Sequence, residues 1–203
     1  MSGLPTLSEI QDFPSSEESP LATALSALFE HSPILVSFLE PHLHDVLKSE
    51  PPLQSYQRLI DLSLQEISKW DIPSQSEFIS GHPRIGESTN LSKLSAREQG
   101  LQGVKPTPPE VLARLAYLNA AYEHKYPGLR YITFVNGRSR AAISEEMEDV
   151  LGWGHSLSPT EPSLDTINPV YSSSDVQWRF ELERAVRDVG LIASSRLKSL
   201  GVE

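Results

Sequence analysis

A histidine in a loop interrupted by glycine and proline is the first candidate for chemistry in this sequence. His82 lies in the run Ser-Gly-His-Pro-Arg-Ile-Gly over residues 80–86, whose two glycines and one proline exclude a regular helix. An imidazole titrates near neutral pH, which suits it to give or take a proton during a reaction. A histidine before a proline in a loop is nonetheless more often a surface or packing residue than a catalyst. The motif alone leaves both interpretations open.

A second polar cluster follows in the pattern Ser-x-x-Glu-Gln, made by Ser95, Glu98 and Gln99. A serine with a glutamate three residues later is the capping box that opens many helices, and such a cap contributes about 1 kcal/mol. The same side chains are also able to bind a polar ligand. A carboxylate that caps a helix still accepts further hydrogen bonds, so the structural and the functional interpretation are compatible.

In combination, these two motifs resemble the signature of a known enzyme family. Gly81-His82-Pro83 followed by Ser95-x-x-Glu98-Gln99 is similar to the pattern of the 2-oxo-4-hydroxy-4-carboxy-5-ureidoimidazoline (OHCU) decarboxylases. The resemblance covers most of residues 20–200. It includes Phe29-Glu30-His31-Ser32-Pro33, Leu118-Asn119-x-x-Tyr122, the aromatic segment from Arg130 to Gly137, and Glu181-Leu182-x-x-Ala185 with Ile192-Ala193-x-x-Arg196.

The resemblance implies a lyase that acts on a small ureide in urate breakdown. Its reaction removes CO2 from OHCU and returns one proton to one face of the ring, which gives (S)-allantoin. Because the carboxylated carbon lies beside an imine, the electrons left by CO2 pass into the substrate itself. We therefore expect neither a cofactor nor a metal.

The resemblance also implies a role for each polar residue. His82 is expected to deliver the proton, and Glu98 to orient His82 or to bind the ureido group. The other expected substrate contacts come from Pro83 by packing, from the side chains of Ser95 and Gln99, and from the main chain at Tyr131, Ile132 and Thr133.

One feature of the family pattern is missing. Many members carry an arginine after the helix that follows the aromatic segment, whereas residues 147–151 read Met-Glu-Asp-Val-Leu here and lead into a long insertion. We expect Arg84 to be the carboxylate partner instead, with Arg138 and Arg140 as further candidates. Two alternatives stay open: a family-derived protein that binds a ligand or partner without turnover, and a lyase or hydrolase that acts on a related ureide.

Charge and composition limit the possible partners. The 203-residue chain has a formal net charge of −10 and no cysteine. An acidic surface repels phosphate backbones and anionic lipids, so nucleic acid and membrane are not expected partners. The lack of cysteine excludes disulfides and fits a reducing compartment. With no secretion signal and no C-terminal peroxisomal signal recognised, we expect a cytoplasmic protein, with the peroxisome as the alternative.

Apolar residues at helical spacing predict the elements that position these side chains. The clearest stripe begins at Trp178 and continues through Leu182, Ala185 and Val189 in the last helix. Residues 131–135 are β-branched and aromatic, but they are too short and solitary a run to require a sheet. We predict an all-α, single-domain bundle of about eight helices.

The boundaries of that bundle follow from composition. Residues 1–19 contain prolines and a Ser/Glu cluster and predict an extended arm, so that the helical domain covers residues 20–203. Residues 152–174 collect Gly, Pro, Ser and Thr and predict an irregular insertion. Because members of the family commonly pair, we expect a homodimer.

Overall fold

The chain is built from α-helices. The structure is a computed structural model that describes residues 3–87, 94 and 107–202. These residues contain eight α-helices, a π-helical turn at Leu35–Leu39, a 3-10 turn at Leu164–Thr166 and no β-strand. The α-helices are α1 (Leu7–Asp12), α2 (Pro20–Phe29), α3 (Glu40–Leu47), α4 (Tyr56–Ile67), α5 (Ile72–Ser80), α6 (Pro109–Lys125), α7 (Arg140–Leu151) and α8 (Val176–Leu200). The predicted all-α fold of about eight helices is confirmed.

The helices belong to two compact units. The first consists of Met1–His82 with Val186–Glu203, and the second of Pro83–Ala185. The division falls between His82 and Pro83 and again within α8.

In the first unit, polar caps begin the helices and apolar faces pack them together. Ser19, Ser55 and Asp71 each accept a hydrogen bond from a backbone N–H three residues ahead, which fixes the first turns of α2, α4 and α5. α2 packs against the π-helical turn and α3, and α3 packs against α4. The core side chains include Leu21, Leu25, Leu28, Leu35, Leu39, Leu43, Leu59, Ile60 and Phe78.

The N-terminal segment differs from the predicted extended arm because it contains helix α1. Thr6 and Glu9 form a reciprocal capping box at the start of that helix, and Ile10 is buried at 1% exposure. The composition of residues 1–19 did not predict this helix, because the helix is only six residues long and buries a single apolar residue.

The remainder of that segment is held by a buried carboxylate. Glu40 at the start of α3 is 1% exposed, and it accepts hydrogen bonds from the hydroxyls of Ser15 and Ser19, both at 2.6 Å. A buried carboxylate is costly unless it is hydrogen-bonded, so this arrangement ties the Ser/Glu cluster to α3. Polar bonding, not apolar burial, orders this part of the chain.

In the second unit, α6 and α7 pack against each other. Ser139 caps the start of α7, and Gly152 ends that helix with φ of +77°, a left-handed conformation that favours glycine. The residues that follow are irregular apart from the short 3-10 turn. This is the character predicted for the insertion over residues 152–174.

A buried ion pair attaches the beginning of the insertion to α6 and α7. Arg114 Nε lies 2.7 Å from Glu148 Oε1, and the side chains are 0% and 1% exposed. Arg114 Nη1 also donates to the carbonyls of Ser158 and Glu161, at 2.7 and 2.6 Å. The insertion is therefore fixed to the helices through its backbone.

The last helix, α8, is 25 residues long and follows the predicted stripe. Trp178, Leu182, Ala185 and Val189 are buried, while charged residues lie between them. Among the helices that the structure describes, none is both long enough and apolar enough to cross a membrane.

Candidate active site

His82 lies two residues after the end of α5. Its place is determined by that helix end and by the close approach of Gly81 to Ser32. Asp71 caps the start of that helix, and Ser80 is its last residue. Gly81 follows without room for a side chain, because a Cβ atom there would lie 2.8 Å from Ser32 Cβ. The glycine therefore allows the loop to approach Ser32, and this approach sets the position from which His82 projects.

The imidazole of His82 is buried at 5% exposure in the first unit. Its Nδ1 lies 3.1 Å from the carbonyl oxygen of Phe78, and its ring packs edge-on against the Phe78 ring with centroids 5.1 Å apart. Since a carbonyl only accepts, Nδ1 carries the hydrogen and Nε2 carries the lone pair of the neutral ring.

Burial also sets the charge of this ring. It lowers the pKa of His82 from 6.5 to about 4, the positive charge of Arg196 adds to this effect, and the Phe78 carbonyl and Glu30 oppose it. At neutral pH the free protein therefore holds a neutral imidazole. Such a group accepts a proton first and is then able to return it.

Three of the predicted site residues lie outside the described part of the chain. These are Ser95, Glu98 and Gln99. The predicted pairing of His82 with Glu98 therefore stays a prediction.

The aromatic segment over residues 131–133 is held by a shared carboxylate in the second unit. Tyr131 and Thr133 both donate their hydroxyls to Glu146 Oε1, the threonine at 2.9 Å. Burial raises the pKa of Tyr131 to about 12, so the phenol stays protonated and remains a donor. The structure thus brings these two predicted residues together through Glu146, which no sequence motif had indicated.

An arginine from α8 fixes the backbone between them. Arg184 Nη1 donates to the carbonyl oxygen of Ile132 at 2.6 Å, and its guanidinium lies 4.9 Å from the centroid of the Tyr131 ring. Its Nη2 bonds to Glu181 Oε2 at 2.9 Å, and Tyr122 donates its hydroxyl to the same oxygen at 2.8 Å. Arg184 was also missed from sequence, although a Glu-x-x-Arg pair beside the apolar stripe of the last helix was the available signal.

Arg84, the expected carboxylate partner, already bonds to carboxylates of the second unit. Its Nε and Nη2 lie 2.6 and 2.9 Å from the two oxygens of Glu123, and its Nη1 lies 3.3 Å from Glu87. The residue before it, Pro83, is half-buried. Any carboxylate of a substrate would therefore have to compete with two protein carboxylates for this guanidinium.

A cavity of about 420 Å³ adjoins this ion pair. Besides Arg84 and Glu123, its lining includes Gly86, Leu112 and Asn119. Of the predicted site residues in the described part of the chain, only Arg84 contributes to this lining. The cavity therefore offers no common pocket for Arg84 and the aromatic segment.

The other two candidate arginines also bond to protein groups. Arg138 forms an ion pair with Glu146 and donates to Thr133 Oγ1 at 2.9 Å, so it supports the aromatic segment. Arg140 is 8% exposed and donates to Thr107 Oγ1 at 3.3 Å. Arg138 thus bonds to Thr133, a predicted substrate-binding residue.

Comparison with known proteins assigns this arrangement to a family. Residues 14–153 match the family model described as OHCU decarboxylase. A curated relative, the 2-oxo-4-hydroxy-4-carboxy-5-ureidoimidazoline decarboxylase of Halalkalicoccus jeotgali, is 24% identical over 193 residues, which cover 95% of this chain and 92% of that protein. The matched region contains His82, Glu98 and the aromatic segment and spans well over half of the 203 residues. The chain belongs to the OHCU decarboxylase family.

Proposed function

We propose that this protein decarboxylates OHCU to (S)-allantoin in urate breakdown, without a cofactor, and that His82 handles the proton. Family membership supports decarboxylation as the general activity. The observation that carries the finer proposal is the buried, neutral imidazole of His82 within the family motif. Buried titratable groups with displaced pKa values are concentrated at functional sites.

The charge state of His82 suggests how the proton moves. As the bond from C4 of the ring to the carboxylate breaks, its electron pair forms a double bond to the neighbouring C5, and the electrons of the C5 imine bond move to nitrogen. Neutral His82 would take the proton of the 4-hydroxyl group and return it to C5. The ring nitrogen that receives the imine electrons would take up one proton from water. The sum is loss of CO2 from the carboxylate, transfer of one proton from oxygen to carbon and uptake of one proton by nitrogen, with no external oxidant or reductant.

The other residues would bind and orient the ring. Glu98 would orient His82 or accept hydrogen bonds from the ureido group, and Pro83 would pack against the ring. Ser95 and Gln99 would bind ring amides through their side chains. The main chain at Tyr131, Ile132 and Thr133 would bind the ring carbonyls, and Arg84 would be the carboxylate partner.

Release of CO2 from freshly generated OHCU tests this proposal. The wild-type protein should accelerate the release, and His82→Asn should abolish the acceleration. Asparagine retains a donor for the Phe78 carbonyl but cannot accept and return a proton at neutral pH. Equal rates with and without the wild-type protein would refute the proposal.

A ligand-binding protein without turnover is the second candidate. It is favoured by the missing family arginine and by the engagement of Arg84, Arg138 and Arg140 with protein groups. Calorimetry with allantoin separates the two candidates when it is combined with the rate measurement. Binding without any acceleration would favour the second candidate.

A further inference from the structure

A buried ion pair joins α8 to the end of α2 in the first unit. Arg196 is 2% exposed, and its Nη2 donates to Glu30 Oε1 at 2.5 Å. Its Nη1 donates to the carbonyl oxygens of Ala27 and Leu28, at 3.2 and 3.1 Å. Carbonyls in the last turn of a helix have no partner within that helix. One guanidinium therefore fixes both the last turn of α2 and the residue that follows it.

Glu30 adopts a backbone conformation that residues with side chains rarely take. Its φ is +67°, in the region that favours glycine. Such a conformation is strained and persists only where the surroundings enforce it. The ion pair with Arg196 is one constraint on this residue, and strain of this kind is concentrated at functional sites.

The end of α2 is linked to His82 through Phe78 and through Gly81. The Phe29 ring lies edge-on to the Phe78 ring with centroids 6.2 Å apart, and Phe78 in turn packs edge-on against His82 at 5.1 Å. Ser32 approaches Gly81 so closely that it leaves no space for a Cβ atom. A displacement of residues 29–32 would therefore reach the imidazole through two separate contacts.

The same two charges act on the protonation of the imidazole. A nearby cation disfavours a protonated imidazole, and a nearby carboxylate favours it. In the described part of the first unit, the charged side chains that act on His82 are Arg196 and Glu30, and the effect of the arginine is the larger of the two. Burial lowers the pKa of His82 more than either charge changes it.

We propose that the Arg196–Glu30 ion pair is a positioning element for His82. The pair holds the end of α2 against Phe78 and Gly81, which in turn fix the imidazole, and it biases that imidazole towards its uncharged form. Arg196 and Glu30 are positioning residues that act through His82. The inference rests on the proposed proton-handling role of His82, because only that role makes the charge of the imidazole matter for a rate. Its test is a titration that needs no turnover.

The experiment is an NMR titration of the imidazole nitrogens, with the His82 signal identified by its loss in His82→Gln. Glu30→Gln leaves the Arg196 charge unopposed. The titration midpoint of His82 should therefore fall below that of the wild type, and a smaller fraction of His82 should be protonated at pH 4. Arg196→Met leaves Glu30 unopposed, so the midpoint should rise towards 6.5. The titration midpoint of the double variant Glu30→Gln/Arg196→Met should lie between those of Arg196→Met and the wild type, because Arg196 has the larger of the two opposing effects.

A loss of structure would give a different pattern. If the substitutions merely loosened the packing and admitted water, the midpoint would rise in every variant. Opposite shifts in Glu30→Gln and Arg196→Met support the proposal, whereas shifts in the same direction, or no shift in either, overturn it. If Arg196→Met does not fold, Arg196→Lys replaces it: a lysine keeps the charge and should leave the midpoint close to the wild-type value, and a rise there would overturn the proposal.

A matched control comes from another arginine–glutamate pair of the same unit. Arg58 Nη2 lies 2.7 Å from Glu50 Oε2, and its side chain is 43% exposed. Arg58→Met should leave the His82 midpoint unchanged.

If the predicted order of midpoints appears in a protein that does not decarboxylate OHCU, only the proposed function fails. If turnover occurs and the order is absent, only this inference fails.

Discussion

At the scale of single residues, His82 combines burial with a fixed ring orientation. It is buried at 5% exposure, and its Nδ1 is bonded to a backbone carbonyl, which fixes both the orientation and the tautomer of the ring. The reactive nitrogen is then Nε2. A neutral ring held in this way is suited to receive a proton from a substrate hydroxyl and to return it to carbon.

The lowered pKa of His82 predicts a dependence of stability on pH. Between pH 4 and 6.5 the unfolded chain binds a proton at this residue and the folded protein does not, so stability rises with pH across this window and is lost as pH falls. The full difference is about 3 kcal/mol. Denaturant unfolding at pH 4 and pH 7 measures it.

His82→Asn is the matched variant for this measurement. The loss of stability between pH 7 and pH 4 should be about 3 kcal/mol smaller than in the wild type, because the variant lacks the group that titrates. An identical loss in both proteins would contradict the assigned pKa.

Sequence motifs identified His82 as a candidate but not its surroundings. The Gly81-His82-Pro83 pattern predicted a loop, and the residue indeed follows the end of a helix. Its burial and its neighbours Arg196 and Glu30 could not be inferred, because they are far apart in the sequence and meet only through packing. Glu98 lies outside the described residues, so its place beside His82 stays a prediction.

At the scale of elements, the segment over residues 131–133 depends on Arg184. The guanidinium bonds to the Ile132 carbonyl and to Glu181, whose side chain is 8% exposed. Burial lowers the pKa of Arg184, but the hydrogen bond to Glu181 and the charge of that carboxylate raise it by more. The net pKa is therefore raised, and this residue is a permanent cation. A single side chain therefore fixes the backbone that we propose binds the substrate.

Arg184→Lys tests this dependence. A lysine cannot make all of these bonds at once, and the loss of a charged hydrogen bond of about 1.5 to 3 kcal/mol corresponds to a rise in KM of about tenfold to a hundredfold. The value of kcat should change less, since the segment is proposed to bind the ring and not to transfer the proton. Arg187→Lys, at an exposed position of the same helix, is the control and should leave both constants unchanged. An unchanged KM in Arg184→Lys would contradict the proposed role of residues 131–133.

The insertion over residues 152–174 should depend on the Arg114–Glu148 ion pair for its attachment to the helices. Glu148→Gln leaves the buried Arg114 charge without its counter-ion, which should lower the free energy of unfolding by about 3 kcal/mol or more. Protease cleavage within residues 152–174 should become faster in the same variant, because the Ser158 and Glu161 carbonyls depend on Arg114. The double variant Arg114→Met/Glu148→Leu should be less destabilised than Glu148→Gln, since it leaves no buried charge unpaired. A stability equal to that of the wild type in Glu148→Gln would show that the pair does not hold the insertion.

Periodicity predicted the last helix, which has a long apolar stripe, and did not predict the short helix α1. The stripe of α8 runs through Trp178, Leu182 and Ala185, and all three are buried. Helix α1 buries only Ile10, so it has no apolar stripe from which periodicity could predict it. The Thr6–Glu9 capping box stabilises its first turn instead. The irregular character of the insertion was evident from its glycines and prolines, but its attachment through Arg114 was not, because backbone carbonyls leave no sequence signal.

At the scale of the whole molecule, the prediction concerns assembly. The resemblance to the family leads us to propose a homodimer. Light scattering coupled to size-exclusion chromatography should give twice the 22.5 kDa mass of the chain. A mass of one chain at micromolar concentration would contradict a stable dimer.

The acidic charge of the molecule limits its macromolecular partners. A net charge of −10 does not favour binding to polyanions such as nucleic acid, and the proposed reaction needs none. The family assignment rests on residues 14–153, which include His82 and the aromatic segment. The central claim is that these parts deliver one proton to one face of a ring.

The optical activity of the product tests that claim most directly. In free solution the intermediate receives its proton from either face, so uncatalysed decarboxylation gives racemic allantoin, whereas a proton delivered by a fixed imidazole gives one enantiomer. Circular dichroism of the allantoin formed from fresh OHCU should show the (S) form with the wild-type protein and no signal with His82→Asn. Racemic allantoin from the wild-type protein, or (S)-allantoin formed at an undiminished rate by His82→Asn, would contradict the account.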